Sequence, residues 1–110
     1  MKKIYISIPI TGIEIEQIKN RIQQVMCNNL LDSPKYYYYN PLELYADLWQ
    51  IKSIIHNSED KPTYEEIMGY DISYLLQSDA VFFCKGWHES KGCQLEFAAA
   101  KIFGKEIMFE

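Results

Sequence analysis

Strand-like and helix-like segments alternate along the chain, and this alternation is what most constrains its fold. The strand-like segments are short, rich in β-branched, aromatic or other apolar residues, and lie at residues 3–8, 36–39, 80–84 and 105–109. Helical apolar spacings occupy the intervals between them, at residues 14–31, 42–57, 63–77 and 91–103. Strands separated by helices form parallel sheets with right-handed crossovers. The sequence therefore predicts a single α/β domain over residues 1–110.

Local signals predict where several of these elements begin and end. Thr63, followed three residues later by Glu66, forms a capping box that predicts the start of a helix. Asp32-Ser33-Pro34 and Gly104 predict the ends of two other helices. Segment 80–84 is entirely apolar, which is typical of a strand buried inside a parallel sheet.

Composition narrows the possible partners and cofactors. The 110 residues carry a formal net charge of −4 and contain no basic block, which argues against duplex nucleic acid or an anionic membrane as a partner. No apolar run approaches about 18 residues, so no membrane span is predicted. The three cysteines form no C-x-x-C pair and the two histidines are isolated. We therefore expect reduced thiols, a cytoplasmic location, no metal site and no cofactor.

Two acidic residues are placed on faces where a charge is unexpected. Asp71 falls within the apolar stripe of its helix, and Glu96 points away from the polar residues of the following helix. Charged side chains are rarely buried unless they are paired or used. Parallel sheets bind ligands beyond the carboxyl ends of their strands, close to where these helices begin. Two inward acids near one sheet edge suggest nucleophile and acid/base chemistry, as in retaining glycosidases.

Each candidate residue also has a purely structural interpretation. An inward acid is often the partner of a buried lysine or tyrosine. Ser90 is either part of an anion site, formed with the backbone amides around Gly92, or simply the N-cap of its helix. Trp87 either stacks on a base or packs against the core. The sequence leaves these alternatives open.

Taken in order, the motifs resemble those of the nucleoside 2-deoxyribosyltransferase-like superfamily, in particular a small bacterial and phage branch. The resemblance covers nearly the whole chain except residues 42–62. It is carried by KIYISIPITG at 3–12, Asn40-Pro41, Asp71-Ile72 with Ser78-Asp79-Ala80-Val81, GWHESKGCQLE at 86–96, Ala99 or Ala100, and Gly104-Lys105. It implies a flavodoxin-like three-layer sandwich that forms a homodimer or larger assembly.

The resemblance also implies roles for individual residues. Glu96 matches the glutamate that attacks the anomeric carbon, Asp71 the aspartate linked to leaving-base protonation and sugar binding, and Tyr5 a tyrosine that orients the nucleophile. Ser90 stands where transferases have an aspartate and where the deoxynucleoside 5′-monophosphate N-glycosidases have a phosphate-binding serine. The remaining expected substrate contacts are Ser7, Ile10, Gly12, Asn40, Trp87 and Gly92.

These features together predict hydrolysis of the N-glycosidic bond of a nucleoside 5′-monophosphate or related nucleotide, a small-molecule substrate. One alternative is a non-catalytic nucleotide-binding or sensing module on the same fold. Ile8, at a position where many relatives have glycine, favours that alternative. A nucleoside deoxyribosyltransferase is a third possibility, which Ser90 disfavours.

Overall fold

A computed structural model describes residues 1–10, 12–28, 35–55, 57 and 59–110, and it confirms the predicted α/β class. The predicted helix end at Asp32-Ser33-Pro34 lies outside the described residues. A short 3₁₀ turn at Trp87–Glu89 occupies part of the segment that was predicted to be a loop. The elements in chain order are β1 (Lys2–Ser7), α1 (Ile15–Asn28), β2 (Tyr36–Tyr39), α2 (Pro41–Ile55), α3 (Tyr64–Leu76), β3 (Ala80–Phe83), α4 (Lys91–Ile102) and β4 (Glu106–Phe109).

The four strands form one parallel sheet in the order β2-β1-β3-β4. Ile4 is paired with Tyr38 on one side and with Ala80 on the other. The chain therefore moves outward from β1 to β2 and then crosses back to the opposite side of β1. Such a reversal leaves a crevice at the carboxyl ends of β1 and β3, which is where open α/β sheets bind ligands.

Helices cover both faces of the sheet, giving the predicted flavodoxin-like three-layer sandwich. On one face, Ile4 and Ile6 of β1 pack with buried residues of α1. On the other face, Tyr5 packs with Leu44 of α2, Leu75 of α3 and Ala100 of α4. Successive strand residues point to opposite faces, so the odd-numbered residues of β1 face α3 and α4.

An ion pair joins the carboxyl edge of the sheet to α1. The Arg21 guanidinium donates two hydrogen bonds, of 2.7 and 2.9 Å, to the side-chain carboxylate of Glu110. The backbone N–H of Lys85 donates to the same carboxylate at 2.7 Å. Because three segments converge on one group, the start of the loop after β3 is held in place.

No helix in the part of the chain that the structure describes is both long enough and apolar enough to cross a membrane.

The predicted capping box at the start of α3 is confirmed. Thr63 Oγ1 accepts a hydrogen bond from the Glu66 backbone at 3.2 Å, and Glu66 Oε1 accepts one from the Thr63 backbone at 3.0 Å. Lys52 Nζ of α2 also donates to Glu66 Oε1, at 2.9 Å. The Lys52 ammonium and the Thr63 backbone lower the pKa of the Glu66 carboxyl to about 2. The box therefore anchors α3 to α2.

We expect Thr63→Ala to lower the free energy of unfolding by about 1 kcal/mol, because it leaves a first-turn amide of α3 without its partner. Thr63→Ser keeps the hydroxyl and serves as the control, with a stability close to that of the unmodified protein. Urea denaturation followed by circular dichroism measures both variants. Equal stability of the alanine and serine variants would show that the cap contributes nothing.

Candidate active site

A cavity of about 200 Å³ lies between β1, α3 and α4, at the crevice formed by the strand order. Its wall is mostly apolar and includes Ile10 from the loop after β1 and Met68 from α3. Four predicted site residues with polar side chains line the cavity: Tyr5, Asp71, Ser90 and Glu96.

The two predicted inward carboxyls are buried close to hydroxyl groups of β1. Asp71 on α3 and Glu96 on α4 are each only 5% exposed. Ser7 Oγ donates to Glu96 Oε1 at 2.8 Å. The hydroxyl of Tyr5, a residue that is 1% exposed, lies close enough to both carboxyls to lower the pKa of each. Strand β1 therefore supplies two hydroxyls to acids that come from two different helices.

Burial controls the protonation of this pair. It raises the pKa of Asp71 to about 7, against the opposing effect of the Tyr5 hydroxyl. It raises the pKa of Glu96 to about 8, against the hydrogen bonds from Tyr5 and Ser7, and the Asp71 charge raises it further. Burial, with the neighbouring carboxylates, also raises the pKa of the Tyr5 hydroxyl. Interacting carboxyls titrate as a unit, so the pair retains about one proton near neutral pH.

One shared proton makes the pair chemically versatile. A protonated carboxyl donates to a leaving group, and an ionised one attacks carbon or accepts a proton. Glu96 has the higher pKa of the two, and the Ser7 hydroxyl, which donates to Glu96 and not to Asp71, lowers the cost of the microstate in which Glu96 is ionised and Asp71 is protonated. Within the described residues, no group of three or more His, Cys, Asp or Glu side chains is arranged to hold a metal ion.

The first turn of α4 forms another part of the cavity wall. Ser90 is the N-cap of α4, as one sequence interpretation predicted, because its Oγ accepts from the Cys93 amide at 3.3 Å. A Cβ at Gly92 would come within 3.3 Å of both the Met68 sulfur and the Tyr64 hydroxyl. Glycine therefore allows side chains of α3 to close over the start of α4. First-turn amides lack partners within the helix and suit an anion.

The structure brings together six of the ten predicted site residues in the cavity lining: Tyr5, Ile10, Asp71, Ser90, Gly92 and Glu96. Ser7 lies directly behind Glu96 rather than in the cavity lining.

Three predicted substrate contacts lie outside the cavity lining. Asn40 caps α2, with its Oδ1 accepting from the Leu42 amide at 2.9 Å. Gly12 adopts a positive φ of 76°. The indole of Trp87 stacks on Phe97, with ring centroids 4.6 Å apart, which corresponds to its core-packing interpretation.

Sequence reasoning missed three residues of α3 that line the cavity: Tyr64, Ile67 and Met68. The spacing of Tyr64 and Met68 placed them in the same apolar stripe as Asp71, where they were interpreted as core. Tyr64 is nevertheless 51% exposed. The usable signal was Asp71 itself, because residues three and four positions before it, Met68 and Ile67, lie beside it on the helix surface.

We expect the buried pair to make the protein less stable as pH rises from about 4 to about 8. The folded pKa values of both carboxyls lie above those of the unfolded chain, so the native state binds more protons in this window and stability falls with pH. The other titratable groups facing the pair are Tyr5 and Cys93, whose pKa values burial raises, so both stay neutral.

The variant Asp71→Asn/Glu96→Gln removes both carboxyls and should flatten this dependence. Thermal unfolding at pH 5 and pH 8 measures it, with the exposed pair Glu14→Gln/Glu16→Gln as the control. A drop between the two pH values that is as large in the Asp71→Asn/Glu96→Gln protein as in the unmodified one would contradict the assignment.

Comparison with known proteins gives one match. No curated protein and no solved structure matches the chain. The family described as "Domain of unknown function (DUF4406)" matches residues 2–109, which include every strand and helix that shapes the cavity. The chain therefore belongs to the DUF4406 family.

Proposed function

We propose that this cavity hydrolyses the N-glycosidic bond of a nucleoside 5′-phosphate. The observation that carries the proposal is the pair of buried carboxyls, Asp71 and Glu96, which line one cavity together with Tyr5. The motif resemblance to the nucleoside 2-deoxyribosyltransferase-like superfamily supports the same chemistry. Retaining glycosidases use two carboxyl groups in this way, one as nucleophile and the other as acid and then base.

In the first step, a Glu96 carboxylate oxygen forms a bond to C1′ of the sugar. The bond between C1′ and the base nitrogen breaks, and its electron pair stays with the base. Asp71 donates its proton to the departing base. The products of this step are a neutral base and a glycosyl ester of Glu96.

In the second step, water attacks C1′ and the glycosyl–Glu96 bond breaks. The ionised Asp71 takes a proton from the water, which restores both carboxyls to their starting states. The overall reaction converts nucleotide and water into free base and sugar phosphate. Protein side chains and water supply every atom and proton that the two steps require.

Each end of the substrate has a matching surface. The apolar wall that includes Ile10, Ile67 and Met68 suits the flat faces of a base. Ser90 and the first-turn amides near Gly92 suit the 5′-phosphate, since a helix N-terminus favours anions. In this orientation we expect C1′ to lie between the two carboxyls.

We expect the protein to release free base from one or more members of a panel of ribo- and deoxynucleoside 5′-monophosphates. Glu96→Gln should reduce this rate by at least about 10³-fold, because an amide does not attack C1′. Chromatography of the reaction mixture measures the free base. Glu16→Gln, the same chemical change on α1 across the sheet, serves as the matched control and should keep the rate.

Full base release by Glu96→Gln would overturn the proposed mechanism. Release by neither protein, combined with thermal stabilisation by a nucleotide, would favour the sensing module instead. Exchange with a labelled free base in preference to hydrolysis would identify a transferase.

A second prediction tests whether Ser7 positions Glu96 for catalysis or only supports the fold. Removing its hydroxyl in Ser7→Ala takes away a hydrogen bond that lowers the pKa of Glu96. The rising limb of the kcat/KM–pH profile, where Glu96 must ionise, should therefore move to higher pH. At neutral pH kcat/KM should fall about 10- to 100-fold, since a hydrogen bond to a charged group contributes about 1.5–3 kcal/mol.

The control for this experiment is Ser73→Ala, which removes an exposed hydroxyl on α3 that donates only to the Tyr70 carbonyl. It should leave the pH profile where it is. An unshifted profile in Ser7→Ala, even with reduced activity, would mean that Ser7 supports the fold alone.

A further inference from the structure

A second, larger depression continues from the cavity along the carboxyl edge of the sheet. This groove has a volume of about 750 Å³ and shares Tyr64 and Ser90 with the cavity. Its other lining residues are Pro9, Ile13, Lys85, Gly86, Glu89 and Lys91. The proposed hydrolysis of a monophosphate uses only the cavity and leaves this groove unexplained.

The groove is lined by two lysines and one acidic residue, so its lining carries a net positive charge. Lys85, in the loop after β3, and Lys91, the first residue of α4, both line it. Neither lysine takes part in any salt bridge found among the described residues. The opposing acid is Glu89, which lies 3.8 Å from the His88 imidazole. Near Lys85, the Glu110 carboxylate is held by Arg21 in a bidentate pair.

The lining residues indicate which part of the proposed substrate would lie next to the groove. Asp71 and Glu96 line the cavity and not the groove, so the base and C1′ lie on the cavity side. Ser90 lines both spaces and marks the position of the 5′-phosphate. A group attached to that phosphate would therefore extend into the groove.

We propose that the groove binds a second phosphate group through Lys85 and Lys91, so that the preferred substrate is a nucleoside 5′-diphosphate. The inference rests on the proposed function, because the positions of Glu96 and Ser90 orient the substrate. A lysine ammonium is a compact charge on a flexible stem, which suits a phosphate at the end of a chain. The α4 N-terminus adds to the same field, since its partial positive charge lies beside Lys91.

The test compares nucleotide pairs that share base and sugar and differ only in having one or two 5′-phosphates. Base release by the unmodified protein should show a kcat/KM at least tenfold higher for the diphosphate. In Lys85→Ala/Lys91→Ala the preference should fall to below threefold. Lys19→Ala/Lys35→Ala removes two exposed lysines that do not line the groove and should keep the tenfold preference.

Calorimetric binding of the same pairs to the Glu96→Gln protein gives a readout that does not depend on turnover. The diphosphate should bind with a lower Kd than the monophosphate. This difference in affinity should disappear when Lys85→Ala and Lys91→Ala are added to the Glu96→Gln protein. Base release with equal kcat/KM for both nucleotides would overturn the second-phosphate site and leave the hydrolase intact. No release from any nucleotide would overturn the hydrolase. Equal Kd values for the monophosphate and the diphosphate would also overturn the second-phosphate site, whether or not the unmodified protein releases base.

Discussion

The Ser7–Glu96 hydrogen bond, 2.8 Å long and fully inside the protein, is the interaction on which the rest of the site depends. A carboxyl that is 5% exposed is costly to ionise, and a second one in the same cavity increases that cost. Only hydrogen-bond donors that the fold already holds beside the carboxyl offset this cost of ionisation. Strand β1 supplies these donors because Tyr5 and Ser7 are both odd-numbered and so face α3 and α4. A slip of one residue in β1 would send both hydroxyls to the α1 face and leave the acids without partners.

The crossover of the chain gives the same strand its central position. Because β1 is paired with β2 on one side and β3 on the other, its carboxyl end lies at the crevice and not at an edge of the sheet. Helices α3 and α4 then approach from one face, and Gly92 allows Met68 and Tyr64 to close over the start of α4. The cavity is thus bounded by elements that the core of the protein already holds rigid.

Much of this arrangement could be predicted from local patterns. Alternating segments gave the fold class, the Thr63–Glu66 spacing gave the start of α3, and helical wheels gave the burial of Asp71 and Glu96. Each of those inferences depends on residues close together in sequence. The partner of Glu96 could not be found in this way, since Ser7 lies 89 residues away and is identified only by tertiary packing. Tyr64 was missed for a related reason: an aromatic residue in an apolar stripe looks like core until the helix end is seen to be exposed.

The two carboxyls also bear on the choice between hydrolysis and nucleotide sensing. In a site that only binds a nucleotide, a buried acid pair carries two costs: carboxylate charge repels the phosphate, and burial of the charge lowers stability as pH rises. In the proposed substrate orientation, the phosphates lie at the start of α4 and at the lysines of the groove beyond it. Catalysis, in contrast, needs one acid that is ionised and one that is protonated at the same pH, which two coupled carboxyls with raised pKa values supply. The cost in stability therefore has a use in the proposed hydrolysis, and this favours the hydrolase proposal over the sensing module.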